Sequence, residues 1–130
     1  MLFFKEEDLR NFDAVQFLFI ETSLRGHVFE IILSRPEKRN AFTPTMAHEI
    51  AFALAYANFQ DLIRCVVIKA KGPVFCAGAD LNAFHDPLTD KRNATLPEMN
   101  EEVRLGDAFA SLCKPCIAQV EGSVFAGGFL

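Results

Sequence analysis

Phe75-Cys76-Ala77-Gly78-Ala79-Asp80-Leu81 is the stretch that decides how this chain is read. A second stretch of the same kind closes the sequence: Glu121-Gly122-Ser123-Val124-Phe125-Ala126-Gly127-Gly128-Phe129-Leu130. Each follows an apolar run that reads as a strand, so each presents free backbone N–H groups at a strand end. Two such groups converging on one carbonyl oxygen form an oxyanion hole. Taken singly, Gly78 or Gly127-Gly128 marks a tight turn. Neither stretch is a nucleotide fingerprint: there is no GxGxxG, and no GxxxxGK followed by Ser or Thr. Asp80 is placed to accept the N–H groups of a helix start, which would fix the loop before it.

Outward from these stretches the elements alternate. Ala14 to Ile20, rich in Phe, Val and Ile, reads as a first strand. Leu24-Arg25-Gly26-His27 reads as a turn, and Val28 to Leu33 as the antiparallel partner strand, ended by Pro36. Thr43 caps a helix with Pro44 at its first position. Met46, Ile50, Ala53, Leu54 and Ala57 form its apolar stripe. Phe52, Tyr56 and Phe59 on the same helix call for a second contact surface, another layer or another subunit. Cys65 to Ile68 is a nearly all-apolar strand, a pattern that implies burial on both faces. A short helix starts near Asp80. Asp86 to Asn100, polar and carrying Pro87 and Pro97, reads as a mobile flap or loop. Glu101 to Leu112 is helical, with Val103, Ala108, Phe109 and Leu112 for packing, and Cys116 to Val120 is the next strand. Strand, helix, strand, helix, strand is the rhythm of a layered α/β fold. A glycine-rich helix start as the last element is the pattern expected of a fragment, or an ordered portion, of a longer chain.

Composition narrows the classes. With 51% hydrophobic and 23% charged residues among 130, the chain is globular and large enough for one modest core. A formal net charge of −4, with no basic run beyond Lys38-Arg39 and Lys91-Arg92, gives no sign of a nucleic-acid footprint. Those pairs remain able to meet the phosphates of a small ligand. No apolar run reaches membrane-spanning length, and the start from Met1 to Arg10 lacks the basic-then-apolar order of a secretory signal. Cys65, Cys76, Cys113 and Cys116 lie in or beside apolar segments, so a reduced compartment is expected: the cytoplasm, with an organelle matrix not excluded. Cys113-Lys114-Pro115-Cys116 has redox spacing, but the helix precedes the first cysteine instead of following it. It is read as two buried or half-buried thiols around a Lys-Pro turn. Three scattered histidines, His27, His48 and His85, make no metal site.

Three ordered motifs then carry a resemblance. Ile32-Leu33-Ser34-Arg35-Pro36-Glu37-Lys38-Arg39-Asn40-Ala41-Phe42, Val67 through Leu81, and Lys114 through Leu130 together resemble the N-terminal half of the enoyl-CoA hydratase/isomerase, or crotonase, family. The similarity covers roughly residues 28–130, with 1–27 as an N-terminal extension and first strand. The resemblance implies an α/β fold, a crotonase-like spiral of strand-strand-helix units with two roughly perpendicular sheets, here incomplete. It implies an acyl-CoA substrate, no separate cofactor, no metal, and a homotrimer or hexamer. The backbone N–H groups of Ala79 and Gly127 would be the oxyanion donors. Asn40, Ala41, and Ala77 through Asp80 to Leu81 would line the coenzyme A path, with the Ala77 and Ala79 carbonyls toward the adenine and Lys38 toward the phosphates.

One departure shapes the expected chemistry. Hydratases of the family place a glutamate three residues after the second oxyanion glycine, and Leu130 stands there. A double-bond isomerase, a divergent hydratase, and a hydrolase or decarboxylase of the superfamily stay open, as does a non-catalytic coenzyme A-binding or assembly protein. Glu121 points off a strand end and carries little catalytic weight, and Ser123 lacks the surroundings of a nucleophile elbow. What the motifs share is stabilisation of a thioester enolate by paired N–H donors, with a carboxylate to shuttle the proton.

Overall fold

The computed structural model describes residues 3–99 and 104–125. Strands β1 (Ile20–Arg25) and β2 (Val28–Leu33) form an antiparallel hairpin in which Arg25 faces Val28. Gly26, at φ +60°, takes the left-handed first position of the two-residue loop. Helix α2 (Pro44–Phe59) carries the chain over to β3 (Cys65–Ala70), which lies parallel to β2. After β4 (Val74–Cys76), helix α3 (Leu81–His85) and helix α4 (Leu105–Ala110), strand β5 (Cys116–Ala118) adds in parallel to β3. The four-stranded sheet therefore runs β1-β2-β3-β5. A second sheet joins β4 to β6 (Ser123–Val124), again in parallel.

Several expectations meet this architecture directly. The Thr43 hydroxyl accepts from Met46 N–H at 3.1 Å, with Pro44 at the first helical position. Met46, Ile50, Ala53, Leu54 and Ala57 are all buried in one cluster with Phe29, Ile31, Leu33, Val66 and Ile68 of the sheet. The second contact surface on α2 is the N-terminal segment of the same chain. Phe12 stacks on Tyr56 with centroids 3.9 Å apart and on Phe52 at 5.6 Å, while Phe4 meets Phe52 edge-on at 5.0 Å. Such aromatic pairs add about 0.5–1.5 kcal/mol each beyond the area they bury. Short helix α1 (Glu6–Arg10) buries Leu9 in the same layer.

Other expectations need correction. The first strand is Ile20–Arg25, not Ala14 to Ile20. The apolar run before it is half-buried without joining a sheet, because a side chain takes two of its N–H groups. Leu18 N–H and Phe19 N–H donate to the Glu49 carboxylate at 2.7 and 2.9 Å. Leu24 and Arg25, read as turn, belong to β1. Strand β3 buries Val66 and Ile68 but leaves Cys65 and Val67 only half-buried, so one face alone is fully covered. Lys69, on that less covered face, pairs with Glu30 at 2.9 Å.

The 86–99 loop contains a 3₁₀ turn, Pro87–Thr89, and is tied down instead of standing free as a flap. Asn93 Nδ2 donates to Glu49 Oε2 at 2.6 Å and to the Gln16 carbonyl at 3.0 Å, and His48 Nε2 donates to the Pro97 carbonyl at 2.9 Å. Cys113 and Cys116 are exposed, not half-buried, because β5 lies at the edge of the sheet and is open along its length. Lys114 between them is held by the C-terminal end of α2, where its Nζ donates to the Ala57 and Gln60 carbonyls at 2.6 and 2.7 Å. Val103 lies outside the described residues. Ala108 is buried, and Phe109 and Leu112 pack on the core as expected.

Candidate functional site

The site is assembled on the turn between β2 and α2. Pro36–Lys38 form a 3₁₀ turn, and Arg39 and Asn40 follow in the left-handed region at φ +54° and +55°. Asparagine tolerates that conformation better than most residues. Here it is also fixed by its side chain, which is fully buried. Asn40 Oδ1 accepts from Arg35 N–H at 2.8 Å, and Nδ2 donates to the Lys71 carbonyl at 2.8 Å and the Val74 carbonyl at 2.9 Å. The amide is thus committed to the protein. The side chain of Asn40, a residue expected to line the ligand path, joins the turn to the entry of β4.

The first glycine stretch docks on this turn through backbone bonds. Ala77 N–H donates to the Arg39 carbonyl at 3.0 Å, and Gly78, at φ +91°, lets the chain reverse. Phe42 then bridges the stretch: its N–H donates to the Gly78 carbonyl, and its carbonyl accepts from Asp80 N–H, both at 2.9 Å. A parallel bridge of this kind uses the groups on either side of the paired residue, which is Ala79. The N–H and C=O of Ala79 therefore face away from Phe42. Among the described residues neither has a hydrogen-bond partner, and the residue is exposed. The Ala77 carbonyl is likewise without a donor among them.

Asp80 closes the stretch. Its Oδ1 accepts from Asn82 N–H and Ala83 N–H at 3.1 and 3.4 Å, capping α3 as the sequence implied. Its Oδ2 accepts from Arg35 Nη1 at 2.9 Å. Burial alone would push the Asp80 carboxyl up; the Arg35 contact and the two amides outweigh it and hold the group below its ordinary value. Cys76, buried beneath the turn, donates its thiol to the Asn40 carbonyl at 3.3 Å, and burial raises its pKa. It is a packed thiol, not a thiolate nucleophile.

The surface these residues leave is an open depression lined by Lys38, Ala41, Ala79, Asp80, Leu81 and Asn82. Five of the expected ligand-path residues therefore meet in one place. Asn82 joins them unannounced by any motif. Lys38 is exposed at the rim and free to reach outward. Of the remaining candidates, Glu121 is exposed and accepts from Gln119 Nε2, and His27 Nδ1 bonds the Leu62 carbonyl. Gly127 lies outside the described residues. What leads to it is described: β6 pairs with β4 at Val124 and Cys76, and Phe125 N–H donates to the Cys76 carbonyl at 3.0 Å. The strands are parallel, so both glycine stretches leave the same end of one sheet.

Two contributors escaped sequence reading. Arg35 makes its contact with Asp80 across 45 residues, and no local pattern announces such a pair. Glu49 is fully buried and anchors Leu18, Phe19 and Asn93. Its signal was present: it falls three residues after Met46 and four before Ala53, on the apolar stripe itself.

Residues 24–130 match the enoyl-CoA hydratase/isomerase family. The chain is 34% identical over 105 residues to a putative enoyl-CoA hydratase of Thermus thermophilus, covering 80% of this chain and 41% of that protein. It is 32% identical over 114 residues to the 1,2-epoxyphenylacetyl-CoA isomerase of Escherichia coli, covering 85% and 42%. The crystal structure of an enoyl-CoA hydratase from Mycobacterium tuberculosis superposes with a TM-score of 0.69 at 27% identity, over 85% of this chain and 41% of that one. The chain thus spans less than half the length of these relatives. With its hairpin, crossover helix, parallel strands and second small sheet, the chain belongs to the enoyl-CoA hydratase/isomerase family and has its crotonase-like α/β fold.

Proposed function

We propose that the depression beside Ala79 binds a coenzyme A thioester and that the Ala79 N–H, with that of Gly127, stabilises the enolate formed from it. The observation that carries this reading is the Phe42 bridge, which leaves the Ala79 N–H facing away from the fold. The parallel pairing of β4 with β6 supports the second donor, since Ala79 and Gly127 each stand three residues past the paired Cys76 and Val124. A thioester carbonyl gains negative charge when its α-proton leaves or when a nucleophile adds to a conjugated double bond. Fixed N–H donors favour that charged oxygen over the neutral one, which converts binding into catalysis. Lys38 at the rim suits the phosphates, and the Ala77 and Ala79 carbonyls suit the adenine amino group. The reaction is hydration or double-bond isomerisation of an enoyl thioester, carried out in a homotrimer or a pair of trimers.

The test uses the intact protein with 2-enoyl-CoA and 3-enoyl-CoA, following the absorbance of the conjugated thioester. Turnover of the first indicates hydration, and conversion of the second isomerisation. Ala79→Pro deletes a donor that bonds nothing among the described residues. The loss expected is about 2.7–4 kcal/mol of transition-state stabilisation, roughly a hundredfold or more in kcat. Ala79→Gly keeps the N–H and retains most activity. Circular dichroism and elution volume confirm that each variant folds. Full turnover by a folded Ala79→Pro protein rules the amide out. Leu130, in place of the usual glutamate, favours a second reading, a non-catalytic thioester-binding protein. Tight thioester binding without turnover of either substrate would select it.

A further inference from the structure

The geometry points to Arg35 as the positioning residue that sets the Ala79 amide, a role that draws on the proposed chemistry only for its kinetic test. Arg35 lies just beyond β2, and among the described residues both hydrogen bonds of its side chain go to the two segments that form the Phe42 bridge. From one nitrogen, Nη1, it donates to the Ala41 carbonyl at 2.8 Å and to Asp80 Oδ2 at 2.9 Å. Ala41 precedes Phe42, and Asp80 follows Ala79. One guanidinium nitrogen therefore holds both segments a single residue away from the bridged pair.

The backbone of Arg35 reinforces the hold. Its N–H donates to Asn40 Oδ1, and its carbonyl accepts from Lys38 N–H at 3.1 Å and Asn40 N–H at 2.9 Å. The ring of Phe19 lies 5.3 Å from the guanidinium carbon and supplies a cation–π contact. The Arg35 and Asp80 side chains are 11% and 16% exposed, so the pair is screened little by solvent. Asp80 transmits the hold further, because its other oxygen caps α3.

An ordinary structural ion pair ties two elements anywhere along their length. This one ties the two residues flanking a backbone donor whose use depends on placement. An error of 1 Å in such a site costs about a hundredfold in rate. Arg35 touches no reacting atom; it acts through Asp80 and Ala41. Lysine is a poor replacement, since its single ammonium on a flexible stem does not reproduce a planar guanidinium braced against Phe19.

Amide hydrogen exchange on the intact protein tests the assignment without any ligand. In Arg35→Gln the Phe42 and Asp80 amides, which form the bridge, should exchange about tenfold faster or more, while those in the middle of α2 keep their protection. Arg35→Lys should fall between the two proteins. In turnover of an enoyl thioester, Arg35→Gln should lose about tenfold or more in kcat with KM changed little. Unchanged exchange at Phe42 and Asp80 overturns the assignment, and so does an acceleration spread evenly over all amides. Should Arg35→Gln fail to fold, Asp80→Asn, nearly isosteric, must show the same local acceleration or the assignment falls. A protein that binds and turns over no thioester, yet shows the local exchange effect, leaves Arg35 as the residue that sets the amide and refutes the proposed chemistry alone.

Discussion

Asn40 offers the sharpest test of how the turn is built. Its buried amide makes three hydrogen bonds, to Arg35 N–H, the Lys71 carbonyl and the Val74 carbonyl, at 2.8, 2.8 and 2.9 Å. Asn40→Ala leaves all three partners without their bond. A buried orphan costs about 1–3 kcal/mol, and the two carbonyls have a second lone pair through which to recover, so the expected loss is about 3–5 kcal/mol. That is a large share of a typical domain's 5–15 kcal/mol, about that range being usual for native proteins. The backbone adds a reversal of sign. At φ +55° alanine pays the left-handed penalty of about 1–2 kcal/mol and glycine does not. Asn40→Gly should therefore be more stable than Asn40→Ala by about 1 kcal/mol, opposite to their order in ordinary backbone. Asn40→Asp keeps the acceptor, loses both donors and turns a carboxylate toward two carbonyls. Its stability should recover as pH falls and the acid protonates. Urea unfolding followed by circular dichroism at neutral and mildly acid pH measures all three. A loss below about 1 kcal/mol for Asn40→Ala, or a glycine variant weaker than the alanine one, would refute the account.

Two further outcomes follow from other parts of the fold. At Gly122, φ is +133° and an added Cβ would lie 2.2 Å from the Pro73 carbonyl oxygen, whereas at Gly26, φ +60°, nothing lies within 4 Å; Gly122→Ala should cost about 2–6 kcal/mol from strain and overpacking against about 1–2 for Gly26→Ala, and equal urea midpoints would contradict the close approach of β6 to the Pro73 turn. The Glu49 carboxyl is raised from 4.5, first by burial and also by Asp90, against the Leu18, Phe19 and Asn93 donors. With a raised folded pKa its contribution to stability is complete below the unfolded value and is lost as pH rises through the folded one. The stability of the parent relative to Glu49→Gln should therefore decline as pH rises above the ordinary carboxylate range, and a difference independent of pH would count against the raised carboxyl.

The parts of this fold that were legible share a physical property: their causes sit within a few residues of their effects. Thr43 and Pro44 start α2, and Asp80 starts α3, because a cap bonds N–H groups two or three positions ahead. The stripe on α2 was legible from its periodicity, and β2 and β3 from their apolar runs, since each meets a common core. Five of the six residues lining the depression were found through family motifs, whose spacing encodes a geometry that no single window contains. Failures came where the partner is remote. Val74–Cys76 is too short to announce itself as a strand, and becomes one because Ser123–Val124 pairs with it from 49 residues away, as Val74 with Ser123. Asn40 stands in a family motif, and nothing local announces that its side-chain amide is spent on three partners within the fold.

The misplaced first strand shows the same limit from the other side. Within residues 12–19 the apolar side chains of Phe12, Val15, Phe17, Leu18 and Phe19 are buried or half-buried. Burial obliges every backbone N–H to find an acceptor, but it does not say which. A sheet would have served Leu18 and Phe19, and hydrophobicity alone favours that answer. The acceptor is instead a carboxylate on α2, fully enclosed, whose charge is offset by those same N–H groups and by Asn93. A lone acidic residue on an otherwise apolar helical stripe is costly unless donors converge on it. Glu49 on the stripe of α2 therefore carried the warning that some nearby apolar segment would give up its ladder bonds, and the segment that does so is the one that had been read as a strand.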